Sequence, residues 1–167
     1  RDVLLALNGH PLIVRTLDVG GDKPLPYLPM PVEENPFLGQ RGQLDDVARL
    51  EISRAQARAI LRAGQHGTIR IMFPMIATIQ ELRDARAMLE EEREKLGVES
   101  IEVGIMVEVP STAVLAEQFA REVDFFSVGT NDLTQYCLAM DRGHPKLAAK
   151  INAMNPAVLR LIEQTAK

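Results

Sequence analysis

Four short apolar runs alternate with stretches of helical periodicity. Prolines and glycines punctuate the joins, and polar residues gather where the apolar runs end. These observations predict an α/β fold of parallel strands alternating with helices, making up about half of a (β/α)8 TIM barrel. Strands fall at Leu12–Val14, Ile69–Phe73, Val103–Val109 and Val123–Val128. Arg15, Glu108, Asn131 and Asp132 lie at their C-terminal ends, the face on which barrel active sites are built. Four units are half of eight, so residues 1–167 read as a fragment of a single barrel domain.

Taken in order, Asp2 to Asn8 reads as the end of a helix with Gly9 as its left-handed cap. The helix start is missing and Arg1 is not a natural first residue, so a truncated chain is expected. Leu12 to Val14 form a buried strand that Arg15 to Asp18 close. From Gly20 to Gly39 five prolines, at 24, 26, 29, 31 and 36, exclude an interior helix and a central strand. Tyr27, Leu28, Met30, Phe37 and Leu38 imply that this loop packs rather than floats.

Gln43 to Ala63 reads as helical, with a break near Glu51–Ser53 and Ser53 as the N-cap of the second piece. Thr78 and Glu81 form a capping box for a helix that ends near Leu96, with Gly97 as its stop. Ile79, Leu82, Ala85 and Leu89 share one face of it. Ser111 is expected to cap a helix over Thr112–Arg121. After the fourth strand, Gly129 permits a tight exit into T-N-D and then a helix or turn to Ala139. By itself T-N-D is equally consistent with Thr130 or Asn131 simply capping that helix. Asn155 followed by Pro156 opens the last helix.

A net charge of −4 gives no footprint for nucleic acid or an acidic membrane surface. No apolar run reaches the length of a membrane span, so no membrane insertion is expected. The single cysteine, Cys137, excludes an internal disulfide and fits a reducing, cytoplasmic setting. It reads as a small core residue. His10, His66 and His144 are loop residues, and Gly20-Gly21 lacks the Lys and Ser or Thr of a phosphate loop.

Glu108 and Asp132 are the metal candidates. Two carboxylates on neighbouring parallel strands suit one hard divalent ion, magnesium first and manganese as the substitute. No Cys/His set exists for zinc. The competing reading of Glu108 is a buried carboxylate paired with an arginine. Arg15, Arg41 and Arg142 are the anion candidates, because a guanidinium fork matches phosphate or carboxylate oxygens. Taken alone, each of the three also reads as a surface or ion-pair arginine, and from spacing alone that reading is the stronger one for Arg41. A metal with several arginines suggests a small substrate carrying both phosphate and carboxylate.

The block D-F-F-S-V-G-T-N-D-L-T-Q-Y resembles the signature of the phosphoenolpyruvate-utilising enzymes. R-T-L-D-V-G-G-D-K, E-E-N-P-F-L-G-Q-R-G, I-M-F-P-M and G-I-M-V-E-V-P resemble further blocks of that family, in its order. The G-G-D-K-P-L-P-Y stretch looks like enzyme I of the bacterial sugar phosphotransferase system, and like the enzyme I module of multiphosphoryl-transfer proteins. The resemblance implies magnesium on Glu108 and Asp132. It implies phosphoenolpyruvate against Asn131, Asp132 and Arg142, its phosphate on Arg15, and assistance from Arg41. It further implies phosphoryl transfer to a histidine on a separate domain and then to a phosphocarrier protein, in a cytoplasmic homodimer.

Three family segments are absent: the T-S-H type that carries the phosphorylated histidine, an R-T-E with a further arginine, and a C-G-E with the proton-donating cysteine. The 167 residues alone are therefore expected to be inactive. Leu44 stands where a second arginine is usual. Phosphoenolpyruvate synthase and pyruvate phosphate dikinase share the barrel and remain alternatives, as does a non-catalytic ligand-binding or assembly module.

Overall fold

The computed structural model describes residues 1–20, 32–42 and 47–167, with the backbone alone for 47–49. Tyr27, Leu28, Met30, Leu44 and the prolines between 24 and 31 lie outside the described residues. Four strands, β1 (Leu12–Arg15), β2 (Ile69–Phe73), β3 (Glu102–Val107) and β4 (Phe125–Val128), form one sheet in the order β1-β2-β3-β4. Every neighbouring pair is parallel. The helices are α1 (Asp2–Ala6), α2 (Val47–Ala63), α3 (Ile79–Leu96), α4 (Pro110–Val114), α5 (Ala116–Ala120), α6 (Thr130–Leu138) and α7 (Pro156–Ala166). This is the half-barrel that the alternation of strand and helix predicts.

The register explains how the two sheet faces divide. Ile71 pairs with Val14 and Val103, while Ile105 pairs with Phe73 and Phe126. These residues join Ala57, Ile60 and Leu61 of α2 and Leu82, Ala85, Met88 and Leu89 of α3 in one core. The opposite face carries Ile13, Arg15, Arg70, Met72, Gly104 and Phe125. The Phe125 ring lies over Gly104 so closely that a Cβ there would stand 2.4 Å from it. Only glycine permits that approach. The Arg70 guanidinium, paired with Glu102, sits 5.9 Å from the Phe125 ring centroid.

Glu92 fastens α3 to α2. Its carboxylate takes Arg54 at 2.8 Å, Arg58 at 3.0 Å and Lys95 at 2.9 Å. Hydrogen bonds from Lys95, Arg54 and Arg58 pull its pKa down to about 2. The capping box of α3 is present as expected, with Glu81 N–H donating to Thr78 Oγ1 and Gly97 left-handed at φ 62°. At the foot of the sheet, Asp124 continues the β3–β4 ladder. Its N–H donates to the Val103 carbonyl, and its Oδ2 accepts from Val103 N–H at 2.7 Å.

Several local expectations need correction. No break occurs near Glu51–Ser53, because α2 runs unbroken from Val47 to Ala63 and Ser53 caps nothing. Ser111 does not cap the next helix either. Pro110 opens α4, and Ser111 Oγ donates instead to the Ala77 carbonyl at 2.8 Å. The stretch expected as one helix over Thr112–Arg121 is divided between α4 and α5 at Leu115. The third strand ends at Val107 rather than Val109, which leaves Glu108 just beyond the ladder. Since β1 and β4 lie at the edges of the sheet, their residues are half-buried or exposed, and the expectation of buried strands there does not hold.

Among the described residues, β1 and β4 each present one row of backbone groups with no neighbouring strand in this sheet. Ile13 on β1 is 46% exposed. Apolar edges of this kind recruit other chains. The 167-residue chain produced by itself is therefore expected to dimerise, exchange elements or aggregate. Light scattering over a dilution series checks this, and a cooperative monomer at micromolar concentration would contradict it.

Candidate active site at the carboxyl ends of the strands

Arg15, Glu108, Asn131 and Asp132 leave the backbone at or shortly after the C-terminal end of a strand, whereas Arg41 follows the Pro36–Leu38 turn and Arg142 follows α6. Arg15 ends β1, Glu108 follows β3, and Asp132 stands third in α6 directly after β4. Gly129 is the N-cap of α6 and no side chain caps that helix, so Thr130 and Asn131 are not serving as simple caps. A Cβ at Gly129 would lie 2.7 Å from Glu108 Oε2. The missing side chain therefore keeps the space beside that carboxylate open.

Arg41 is the centre of the arrangement. It is 1% exposed and donates from Nη1 to Asp132 Oδ1 at 2.7 Å and from Nη2 to Asp18 Oδ2 at 3.0 Å. Burial by itself would lower its pKa. Hydrogen bonds donated to Asp132 and Asp18, with the charges of both carboxylates, outweigh that effect and raise it, so the guanidinium is permanently charged. Arg15 reaches the same Asp18 oxygen at 2.6 Å, with its side chain 35% exposed. Arg142 donates to Asp132 Oδ2 at 3.2 Å, and its own N–H is held by Gln135 Oε1 at 2.9 Å. Asn131 is exposed beside Asp132 and makes no hydrogen bond to the other candidates.

Glu108 is buried, and its Oε1 accepts the Met75 N–H at 2.8 Å. Met75 adopts a left-handed backbone, φ 56°, to present that N–H. Burial raises the pKa of Glu108. The Met75 bond and nearby Arg15 work against this, and the negative charges of Asp132 and Asp18 add to it. Among the described residues no arginine pairs with Glu108, so the buried-ion-pair reading of this residue does not hold.

Sequence reasoning missed Asp18, Phe37 and Tyr136. Asp18 is read there only as closing the strand, although its i+3 spacing from Arg15 was a usable signal. Tyr136 donates its hydroxyl to the Phe37 carbonyl and accepts from Arg41 Nη1 at 3.2 Å. Nothing in the pattern of residues announces that contact across 99 positions.

Residues 1–167 match the family model described as PEP-utilising enzyme, PEP-binding domain. The chain belongs to the phosphoenolpyruvate-utilising enzymes. Over 99% of its length it is 57% identical to a multiphosphoryl transfer protein of Rhodobacter capsulatus, and it covers 20% of that protein. It is 54% identical over 97% of its length to a phosphoenolpyruvate-protein phosphotransferase of Bacillus subtilis, covering 30% of it. A protein of the same name from Staphylococcus carnosus is 56% identical, again over 97% of the chain and 29% of the relative. The chain thus spans between a fifth and a third of these relatives. Among solved structures, a citrate lyase from Burkholderia xenovorans superposes on 67% of the chain and 36% of its own, with a TM-score of 0.53 and 24% identity. That likeness concerns the fold alone. No helix among the described residues is long and apolar enough to cross a membrane.

The donor set fits the hard divalent cation expected from the sequence. Glu108 and Asp132 offer oxygen only, and no larger cluster of His, Cys, Asp or Glu exists among the described residues. Magnesium commonly takes one or two protein carboxylates and completes its shell with water and substrate oxygens. Burial raises the Glu108 pKa and the charges of Asp132 and Asp18 add to it, so a cation held there would favour its ionised form. Asp132 Oδ2 is the oxygen that can be released, because its bond to Arg142 is the longer of the two.

The raised pKa sets the sign of a pH effect. Folding favours the protonated form of Glu108, so its contribution to stability declines as pH rises from the unfolded carboxylate value through the higher folded one. In metal-free full-length protein, Glu108→Gln is expected to leave stability unchanged near pH 4 and to raise it at pH 8. Thermal melts across that range check this. Equal stability losses at both ends would refute the burial argument.

Proposed function

We propose that this chain forms the phosphoenolpyruvate-binding face of an enzyme I-type phosphoenolpyruvate-protein phosphotransferase. Such an enzyme passes the phosphoryl group to a histidine on a separate domain and then to a phosphocarrier protein that serves sugar uptake. The observation that carries this reading is the pairing of opposite charges at the strand ends. The carboxylates of Glu108 and Asp132 stand beside the partly exposed guanidiniums of Arg15 and Arg142. A ligand bearing both phosphate and carboxylate, accompanied by a divalent cation, matches that charge pattern. The names of the relatives support the enzyme I reading over phosphoenolpyruvate synthase or the dikinase.

In this reading Glu108 and Asp132 would hold magnesium, with manganese as a substitute. The ion would supply Lewis-acid stabilisation of charge on the reacting oxygens. The residues of the chain do the rest. Arg15 would grip the phosphate, with its guanidinium already aimed by Asp18. Arg142 and Asn131 would donate to the three-carbon part, where negative charge accumulates as the P–O bond breaks and the bond from phosphorus to the acceptor nitrogen forms. Arg41 is too buried to meet a substrate directly, and would assist by keeping Asp132 turned toward the site. A cytoplasmic homodimer is the setting we propose. The single cysteine fits the first, and the two unpaired sheet edges fit association in general.

The test is made in the full-length protein, with phosphoenolpyruvate as donor and the phosphocarrier as acceptor. Glu108→Gln keeps the size and removes the charge. It is expected to lower kcat/KM for phosphoenolpyruvate by roughly 100-fold or more, the scale of losing one electrostatic element of a transition-state site. Unaltered kinetics and unaltered magnesium dependence in that variant would remove the assignment.

A further inference from the structure

Phe37 lies in the short 3-10 turn Pro36–Leu38, far from α6 in sequence yet against it in space. Its ring faces two guanidiniums, with Arg142 at 5.8 Å and Arg41 at 6.0 Å from the centroid. Both distances fall within the reach of cation–π attraction. The two arginines are held differently. Arg41 is clamped by two buried carboxylates, whereas the Arg142 side chain is 25% exposed and its bond to Asp132 measures 3.2 Å.

Tyr136 explains why the ring stays where it is. Its hydroxyl donates to the Phe37 carbonyl and accepts from Arg41, which fixes the turn to the helix that carries Asp132. The chain at Gly143 also passes close to the ring, and a Cβ there would lie 3.9 Å from it. Arg142 is therefore flanked by an aromatic face whose backbone is tied to the same helix as its carboxylate partner.

We propose that Phe37 is a positioning residue for the Arg142 guanidinium, held in place for that task by the Tyr136 hydroxyl. A ring face attracts the guanidinium without bringing another carboxylate to it, so the ring can help hold Arg142 without adding a competing anion. The role matters most when Asp132 Oδ2 turns to another ligand and Arg142 loses that anchor. The proposal rests on the reading of Arg142 as a phosphoenolpyruvate contact.

The test uses the full-length protein with magnesium and phosphoenolpyruvate. Phe37→Leu is expected to raise KM by about threefold to tenfold, the range of a partly desolvated cation–π contact, while kcat falls by much less. Phe37→Tyr should restore KM. Tyr136→Phe, which removes one hydroxyl and keeps the ring, should shift KM in the same direction and covers the case in which Phe37→Leu fails to fold. In an Arg142→Lys background, Phe37→Leu should add little. Full additivity of the two, or an unchanged KM in a folded Phe37→Leu and in Tyr136→Phe, would overturn the proposal. If Arg142→Lys weakens phosphoenolpyruvate use while the Phe37 and Tyr136 variants do not, only Phe37 loses its role. If Arg142→Lys also has no effect, the functional reading of the site fails with it.

Discussion

The buried guanidinium of Arg41 holds the strand ends together. It comes from the segment that follows the Pro36–Leu38 turn, and bridges Asp18 beyond β1 to Asp132 at the start of α6. These two elements stand at opposite edges of the four-stranded sheet. A charge so completely covered is tolerated only with partners of opposite sign. Breaking such a group by removing one member typically costs about 3–5 kcal/mol, because the remaining charges stay buried without compensation. The interaction is thus less a source of net stability than a constraint on geometry. With Arg41 in place, Asp132 presents its second oxygen toward Arg142, and Asp18 presents itself to Arg15.

Charge balance at the site follows from that constraint. Among the described residues, Asp18, Glu108 and Asp132 face Arg15, Arg41 and Arg142, three acids against three arginines. Adding a divalent cation alone would leave an excess of positive charge, and adding a phosphorylated carboxylate alone would leave the opposite. The two together restore balance, which favours joint over separate binding. Glu108 is buried among these charges. Its carboxyl is pushed upward by burial, and the neighbouring acids push in the same direction.

Most of the architecture was legible because it is written in local periodicity. β2 is found residue for residue, and so are the α3 capping box and the Gly97 stop, since each depends on neighbours in the chain. The positions of Arg15, Glu108 and Asp132 were legible for a related reason. In a parallel sheet, the end of an apolar run maps directly onto one face of the molecule. What was not legible depends on contacts distant in sequence. Arg41 looks like any arginine in a loop, and only the fold brings it to Asp132, 91 residues away. Ser111 obeys the local preference for a cap, yet the approach of the Ala77 carbonyl draws its hydroxyl elsewhere. The supposed break at Ser53 failed because packing of α2 against α3, pinned by Glu92, overrides a weak local signal.

Anomalous diffraction from manganese in crystals of the full-length protein with phosphoenolpyruvate addresses the site most directly. Manganese replaces magnesium among oxygen ligands and can be located without reference to the protein chain. The expected result is one peak within coordinating distance of both the Glu108 and Asp132 carboxylates, with Arg41 still joining Asp18 to Asp132. A peak elsewhere, or none while Asp132 keeps both arginines, would contradict the assignment of these strand ends as the phosphoenolpyruvate site.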